Sequence, residues 1–235
     1  VEYFGRVYNL YFKHNLKKTL KHTDMILYNS EQTKRTTEKY FPEAKHIKNV
    51  NAYIISNPIK KKWVNTDGDY FLYIGNMEKR KGVDLLIKGY LKYKESGGTK
   101  KLILGGKMQE EDINSLVESA MAKDKDISYL DYVSHDKKHE LYAGMSAFVF
   151  PSKAEGFGMP VIEVMRFNKP IIASNLPIFD EITDGNINTF DLRCSEQEQI
   201  ENLADIMSDY NANVDETAYD EVVHRYEPER LGKIV

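Results

Sequence analysis

Short apolar runs alternate with amphipathic stretches along this chain. Seven runs read as strands: "MILYN" (Met25–Asn29), "YIIS" (Tyr53–Ser56), "YFLYIG" (Tyr70–Gly75), "KLILGG" (Lys101–Gly106), "ISYL" (Ile127–Leu130), "AFVFPS" (Ala147–Ser152) and "PIIAS" (Pro170–Ser174). Several are almost uninterrupted in their apolar character, as strands covered on both faces are. Between them, helical periodicity predicts helices at Glu31–Tyr40, Val83–Lys94, Glu110–Ala122, Lys137–Gly144, Pro160–Phe167 and Gln197–Tyr210. Strands and helices in alternation predict an α/β fold built on a doubly wound, Rossmann-like parallel sheet.

The pattern breaks once, at "NPIKKKWVNTDGD" (Asn57 to Asp69), where a proline, three consecutive lysines and a Gly-Asp turn replace apolar positions. Two predicted strands precede the break and five follow it. The expected organisation is therefore a remnant or closing segment of an N-terminal domain at 1–60, a linker at 61–69, and one complete domain at 70–235. The chain begins at Val1 rather than at a methionine, and its first twenty residues read as an amphipathic helix with no strand before it. A piece of a longer protein is the expectation.

Composition narrows the classes. With 235 residues, 41% of them hydrophobic, the chain has enough apolar material for a substantial core. No run of eighteen apolar residues occurs, so the expected location is the cytoplasm. The single cysteine, Cys194, excludes an internal disulfide and a cysteine-based zinc cluster. A net charge of -3 gives no global basic field of the kind nucleic-acid binding requires. Basic residues cluster locally instead. Lys13, Lys17 and Lys21 form a stripe beside Phe12, Leu16 and Leu20, which reads either as a packed helix with a wet face or as peripheral contact with the inner face of an anionic membrane.

Open parallel sheets bind ligands at the carboxyl ends of their strands, and three such ends here carry unusual residues. In "YIGNMEKRKG" a strand closes at Gly75 and Asn76, and Arg80 and Lys81 precede the next helix. Two cations there suit a phosphate, although a solvated basic turn reads the same way. In "FPSKAEGFGMPVIEVM", Glu155 and Glu163 flank a turn containing Phe157, Gly158 and Met159, with Pro160 expected at the first helical position. Backbone N–H groups at that helix start suit an anion, and the carboxylates suit sugar hydroxyls. Against this, Glu163 also reads as an acid complementing the first turn of a helix, and Gly-Phe-Gly as a tight turn over a core phenylalanine. In "LDYVSHDKKHELYAGMSAF", Tyr132 and Val133 end a strand before a helix capped by Ser134 or Asp136. His135 and His139 stand one helical turn apart there with no third ligand nearby, and "DGD" (Asp67–Asp69) reads as a turn, so no metal site is expected.

Taken in order, "YIGNMEKRKGVDLLIKGY", "LILGGK", "YVSHDKKHELYAGMSAFVFPSKAEGFGMPVIEVM" and "KPIIASNLPIFDEI" resemble the donor-binding half of retaining GT-B glycosyltransferases of the family-four (group 1) type. Residues 24–59 resemble the closing segment of such an enzyme's N-terminal domain. The resemblance implies metal-independent transfer of a sugar from a nucleotide-diphosphate sugar with retention, in polysaccharide biosynthesis, with no cofactor. Lys81 and Arg80 would bind the diphosphate, and Glu155 the hydroxyls of the transferred sugar. Phe157, Gly158 and Met159 would present backbone N–H groups, with Gly75, Asn76 and Val161 lining the donor. Glu163 would accept from the ribose, and Tyr132 and Val133 would border the base. The implied partners are a nucleotide sugar and a glycan or lipid-linked acceptor, with no nucleic acid. Three positions depart from the family pattern: Asn76 stands where arginine is common, Asp131 where glycine is common, and Asn168 where a small residue is usual. Because the N-terminal domain is expected to be mostly missing here, a non-catalytic nucleotide-sugar-binding module is the alternative reading.

Overall fold

The structure, a computed structural model, describes residues 6–51, 63–66 and 68–227. The chain divides into two compact units, Val1–Ile55 with Tyr226–Val235, and Ser56–Arg225.

The first unit contains α1 (Arg6–Leu20), β1 (Met25–Tyr28), α2 (Glu31–Tyr40), a 3-10 turn over Pro42–His46 and β2 (Lys48–Asn51). Strands β1 and β2 pair in parallel, Tyr28 opposite Asn51. Ser30 caps α2 by accepting from Thr33 N–H at 2.9 Å, which satisfies one of the orphan donors of the helix start. Leu20, Phe41 and Ala44 are buried together, with Leu16, Ile26 and Ile47 packed on them. That places the Leu16 and Leu20 side of α1 inward, while Lys13, Lys17, Leu10 and Tyr11 are exposed.

The second unit holds a six-stranded sheet in the order β5-β4-β3-β6-β7-β8, every neighbouring pair parallel. Its strands are β3 (Tyr70–Ile74), β4 (Lys101–Gly105), β5 (Ile127–Leu130), β6 (Ala147–Phe150), β7 (Ile171–Ser174) and β8 (Asn188–Phe190). The connecting helices are α3 (Val83–Glu95), α4 (Glu111–Lys123), α5 (His135–Gly144), α6 (Met159–Met165), α7 (Pro177–Thr183), α8 (Glu196–Ser208) and α9 (Glu216–Arg225). Phe71, Leu72, Tyr73, Leu102, Leu104, Phe148, Val149, Ile171 and Ile172 have no solvent exposure, so the central strands are covered on both faces. Each such side chain contributes about 1.5–3 kcal/mol of burial, and the sheet centre is where this is concentrated. Because the chain winds outward from β3 through β4 to β5 and then returns to place β6 against β3, the winding reverses between β3 and β6. Open sheets form a ligand crevice at such a reversal.

The doubly wound sheet predicted from the sequence is the one observed. Several details differ. Strand β2 is a polar segment, and β8, α7 and α9 were not expected; the predicted strand Tyr53–Ser56 lies outside the described residues. The α6 helix starts at Met159, so Pro160 occupies its second position rather than its first. Described residues of the segment 61–69 make contacts within the second unit. Asn65 Nδ2 donates to Phe167 O at 2.6 Å, Lys169 Nζ donates to Thr66 O at 2.8 Å, and Trp63 meets His139 edge-on at 5.9 Å.

Candidate functional site

The segments after β3 and β6 meet at the reversal point. Arg80 and Lys81 lie in a 3-10 turn, Lys79–Lys81, that ends at Gly82 in the left-handed region, φ 72°. A Cβ at Gly82 would lie 2.0 Å from Pro151 O, so only glycine lets this turn approach the loop after β6. Two further bonds join the segments: Lys153 N–H donates to Arg80 O at 2.9 Å, and Arg80 Nη1 donates to Ala154 O at 3.0 Å.

Lys81 Nζ lies 2.6 Å from Glu155 Oε1, with side chains only 17% and 8% exposed. The ammonium also stands 5.6 Å from the Phe150 ring centroid, and Phe150 stacks on Tyr73. Tyr73 Oη donates to Asn76 O at 2.8 Å, and a Cβ at Gly75 would crowd that hydroxyl. Burial, with Glu155 and Glu78 nearby, pushes the Tyr73 phenol far up, so it stays a neutral donor. The floor of this site is aromatic and its upper edge is an ion pair.

Arg80 is placed differently from Lys81. Its guanidinium holds Glu78 Oε1 at 2.7 Å as well as the Ala154 carbonyl, and so braces the loop that carries Glu155. Beside it, Lys153 Nζ pairs with Asp84 at 2.8 Å.

Gly158 adopts φ 95°, caps α6 and packs against Phe179, while Phe157 is buried at 5% exposure and Met159 is 44% exposed. Phe157 is the core residue beneath a tight turn. Val161 is fully buried and its N–H donates to Gly158 O at 2.9 Å. With Pro160 lacking an N–H, the amides that this turn can turn toward a ligand are those before Val161.

Glu163 lies beyond the first turn of α6, so it neither caps that helix nor sits among its orphan N–H groups. Its Oε2 accepts from Lys138 Nζ at 2.8 Å and from Tyr142 Oη at 3.1 Å, both on α5. Of the two capping candidates for α5, Ser134 is the one used, accepting from Lys137 N–H. Ahead of α5, Tyr132 is 84% exposed, and Val133 packs over Gly105 at the end of β4. His139 packs between Trp63 and Phe167, and its pKa falls below the usual value, first because of burial and then because of the neighbouring Lys138. Among the described residues, no group of three His, Cys, Asp and Glu side chains is placed to hold a metal ion.

The strand ends thus bring Arg80 and Lys81 across one seam to the loop carrying Glu155, with Gly75 and Asn76 beside Tyr73 at the end of β3, Phe157, Gly158 and Met159 in the turn that follows Glu155, and Glu163 held by α5. Tyr73, Phe150, Lys138 and Tyr142 belong to the same arrangement and were not singled out from the sequence. Nothing local marks them, since their partners are distant in the chain.

A parallel sheet of this topology, with a basic turn on one side of its reversal and a carboxylate-bearing turn on the other, defines a Rossmann-like α/β domain with a candidate ligand site at the switch point. The family model for glycosyl transferases group 1 matches residues 56–220, and the chain belongs to that family. It is 30% identical over 212 residues to the O-antigen chain mannosyltransferase RfbU of Salmonella typhimurium, covering 87% of this chain and 59% of the relative. It is 37% identical over 128 residues to the O-antigen chain mannosyltransferase B of Escherichia coli, covering 53% and 33% respectively. Its fold is similar to that of Anabaena Alr3699/HepE, solved in complex with UDP and glucose, with a TM-score of 0.74 at 15% identity over 99% of this chain and 66% of that one. The pneumococcal O-GlcNAc transferase GtfA, solved with UDP and GlcNAc, gives a TM-score of 0.69 at 15% identity, covering 92% of this chain and 45% of its own. The matches thus span 33% and 59% of the two curated relatives' lengths. Among the described residues, no helix is long and apolar enough to cross a membrane.

Proposed function

We propose that this chain carries the donor-binding half of a retaining glycosyltransferase that transfers a hexose from a nucleotide-diphosphate sugar to a glycan or lipid-linked acceptor. The observation that carries the reading is the Lys81–Glu155 pair, at the one place where the winding of the sheet reverses. Lys81 takes the diphosphate and Glu155 the hydroxyls of the transferred sugar, with amides of the Gly158–Met159 turn facing the phosphates. Glu163 accepts from the ribose, and Tyr132 and Val133 border the base. Asn76 supplies no cation, and Arg80 serves by holding the Glu155 loop. The names of the mannosyltransferase relatives support a hexose donor and a glycan acceptor.

In the proposed reaction the bond between the anomeric carbon and the diphosphate oxygen breaks as the acceptor hydroxyl bonds to the same face of the sugar. The hydroxyl proton passes to the departing diphosphate. Negative charge grows on the leaving oxygen, where the Lys81 ammonium stabilises it in a partly buried setting. A fixed cation in that position is the physical basis for transfer without a divalent metal. Calorimetry with UDP, GDP and their sugar conjugates, in EDTA and in magnesium, tests the reading. Binding with equal affinity in both media supports it, and failure of every nucleotide to bind sinks it.

A non-catalytic nucleotide-sugar-binding module is the second reading. Assay of product release by the chain with the same donors and a lipid-linked acceptor separates the two. Peripheral membrane contact through α1 is proposed from the exposed Leu10 and Tyr11 on a helix that also exposes Lys17 and Lys18. Co-sedimentation with anionic liposomes, with and without residues 1–22, tests that contact.

A further inference from the structure

Among the described residues, only one carboxylate oxygen of Glu163 is engaged by the protein. Lys138 Nζ and Tyr142 Oη both converge on Oε2, at 2.8 and 3.1 Å. Tyr142 is fully buried and wedged edge-on against Phe148 and Phe167, at 5.8 and 5.5 Å, so this anchor is rigid. Lys138 and Glu163 side chains are 15% and 18% exposed: shielded, yet reachable from solvent.

We propose that Lys138 is a specificity-determining residue of this site, fixing Oε1 of Glu163 as the acceptor and setting an ammonium donor beside it, a pair matched to a vicinal diol. The inference rests on the reading that this strand end receives the nucleoside of a sugar nucleotide. An unpaired carboxylate only accepts, and it attracts amines as readily as hydroxyls. With Lys138 locked onto Oε2, a cationic ligand is repelled. A diol fits, because one hydroxyl donates to Oε1 while its neighbour accepts one of the two ammonium hydrogens that Glu163 leaves unused. Tyr142 positions Glu163 and does not touch the ligand.

An ion pair joining two helices can also be purely structural, and the test separates the roles. Calorimetry compares wild type, Lys138→Met, Lys138→Arg and Glu163→Gln against UDP, GDP and their 2',3'-dideoxy counterparts, with melting temperature recorded for each variant. Lys138→Met should weaken the better-bound ribonucleoside diphosphate by about tenfold, the scale of one charge-assisted hydrogen bond. Its dideoxy counterpart should change by less than about twofold, and Lys138→Arg should stay close to wild type because a donor remains. Equal weakening of both ligands, or an unaffected Lys138→Met beside a ribose-selective loss in Glu163→Gln, overturns the inference alone. If no nucleoside diphosphate binds wild type, or Glu163→Gln is indifferent to the ribose hydroxyls, the donor-site reading falls and takes this inference with it.

Discussion

Lys81 Nζ and Glu155 Oε1 are 2.6 Å apart although 74 positions of sequence separate the two residues. The pair is mostly shielded from water, so each charge depends on the other. Lys81→Ala leaves a desolvated carboxylate behind and should cost about 3 kcal/mol of stability, the scale for breaking a buried pair. Replacing both partners, as in Lys81→Met with Glu155→Met, should recover most of that loss. Urea unfolding of the single and double variants measures it; a double variant no more stable than Lys81→Ala would show that the pair is not the cause.

The proposed assignment makes Glu155 compete with a diphosphate for Lys81, so Glu155→Gln should tighten UDP or GDP binding by about threefold while weakening the intact sugar nucleotide by about tenfold, consistent with one charged hydrogen bond lost. Calorimetry with each diphosphate beside its sugar conjugate reads both effects. Changes of the same sign for the two ligands contradict the assignment of Glu155 to the sugar.

Gly82 joins the two halves of the seam by backbone alone. Gly82→Ala meets both a left-handed φ and a carbonyl 2.0 Å from its new Cβ. The variant should lose more than about 2 kcal/mol of stability, because the backbone strain adds to the displacement of Pro151. Gly97, also at positive φ but with nothing within 4 Å of a new Cβ, provides the control. Gly97→Ala should lose measurably less in the same unfolding assay.

His139 makes stability depend on pH. Its folded-state pKa is depressed, chiefly by burial beside Trp63 and Phe167, so the unfolded chain binds a proton more readily. The stability it contributes is whole above its unfolded pKa, near 6.5, and is lost as pH falls through the folded value. His139→Gln should flatten the change in unfolding midpoint between about pH 7 and pH 5. An unchanged slope would place the pH dependence elsewhere.

The sheet was legible where burial is two-sided. Strands β3, β6 and β7 are near-continuous apolar runs because both faces are covered, whereas the edge strand β5 is buried only at Ile127; the carboxyl ends of the buried strands mark where the candidate site falls. Strand β2, "KNVN", is intermediate to exposed along its length and has no apolar run to show. Strand β8 has three residues, too few for any period to register. In the site, residue types could be read but not their partners. Lys138 in the sequence is one lysine in a charged helix start, and only the packing of α5 against α6 turns it toward Glu163. Arg80 shows the same gap, since a basic pair "RK" does not say which cation braces a loop and which pairs with a carboxylate 74 positions away.

The return of the chain from β5 to β6 makes the site depend on one strand pairing. Phe71 registers with Ala147 and Leu72 with Phe148, so the basic turn and the carboxylate turn are neighbours only through a ladder between strands that two other strands separate in the chain. A non-local pairing of this kind carries a loop-closure cost that local contacts do not. Integrity of the seam is therefore tied to that one ladder, and a nick between β5 and β6 that spares every seam residue would still separate Lys81 from Glu155 once the fragments part.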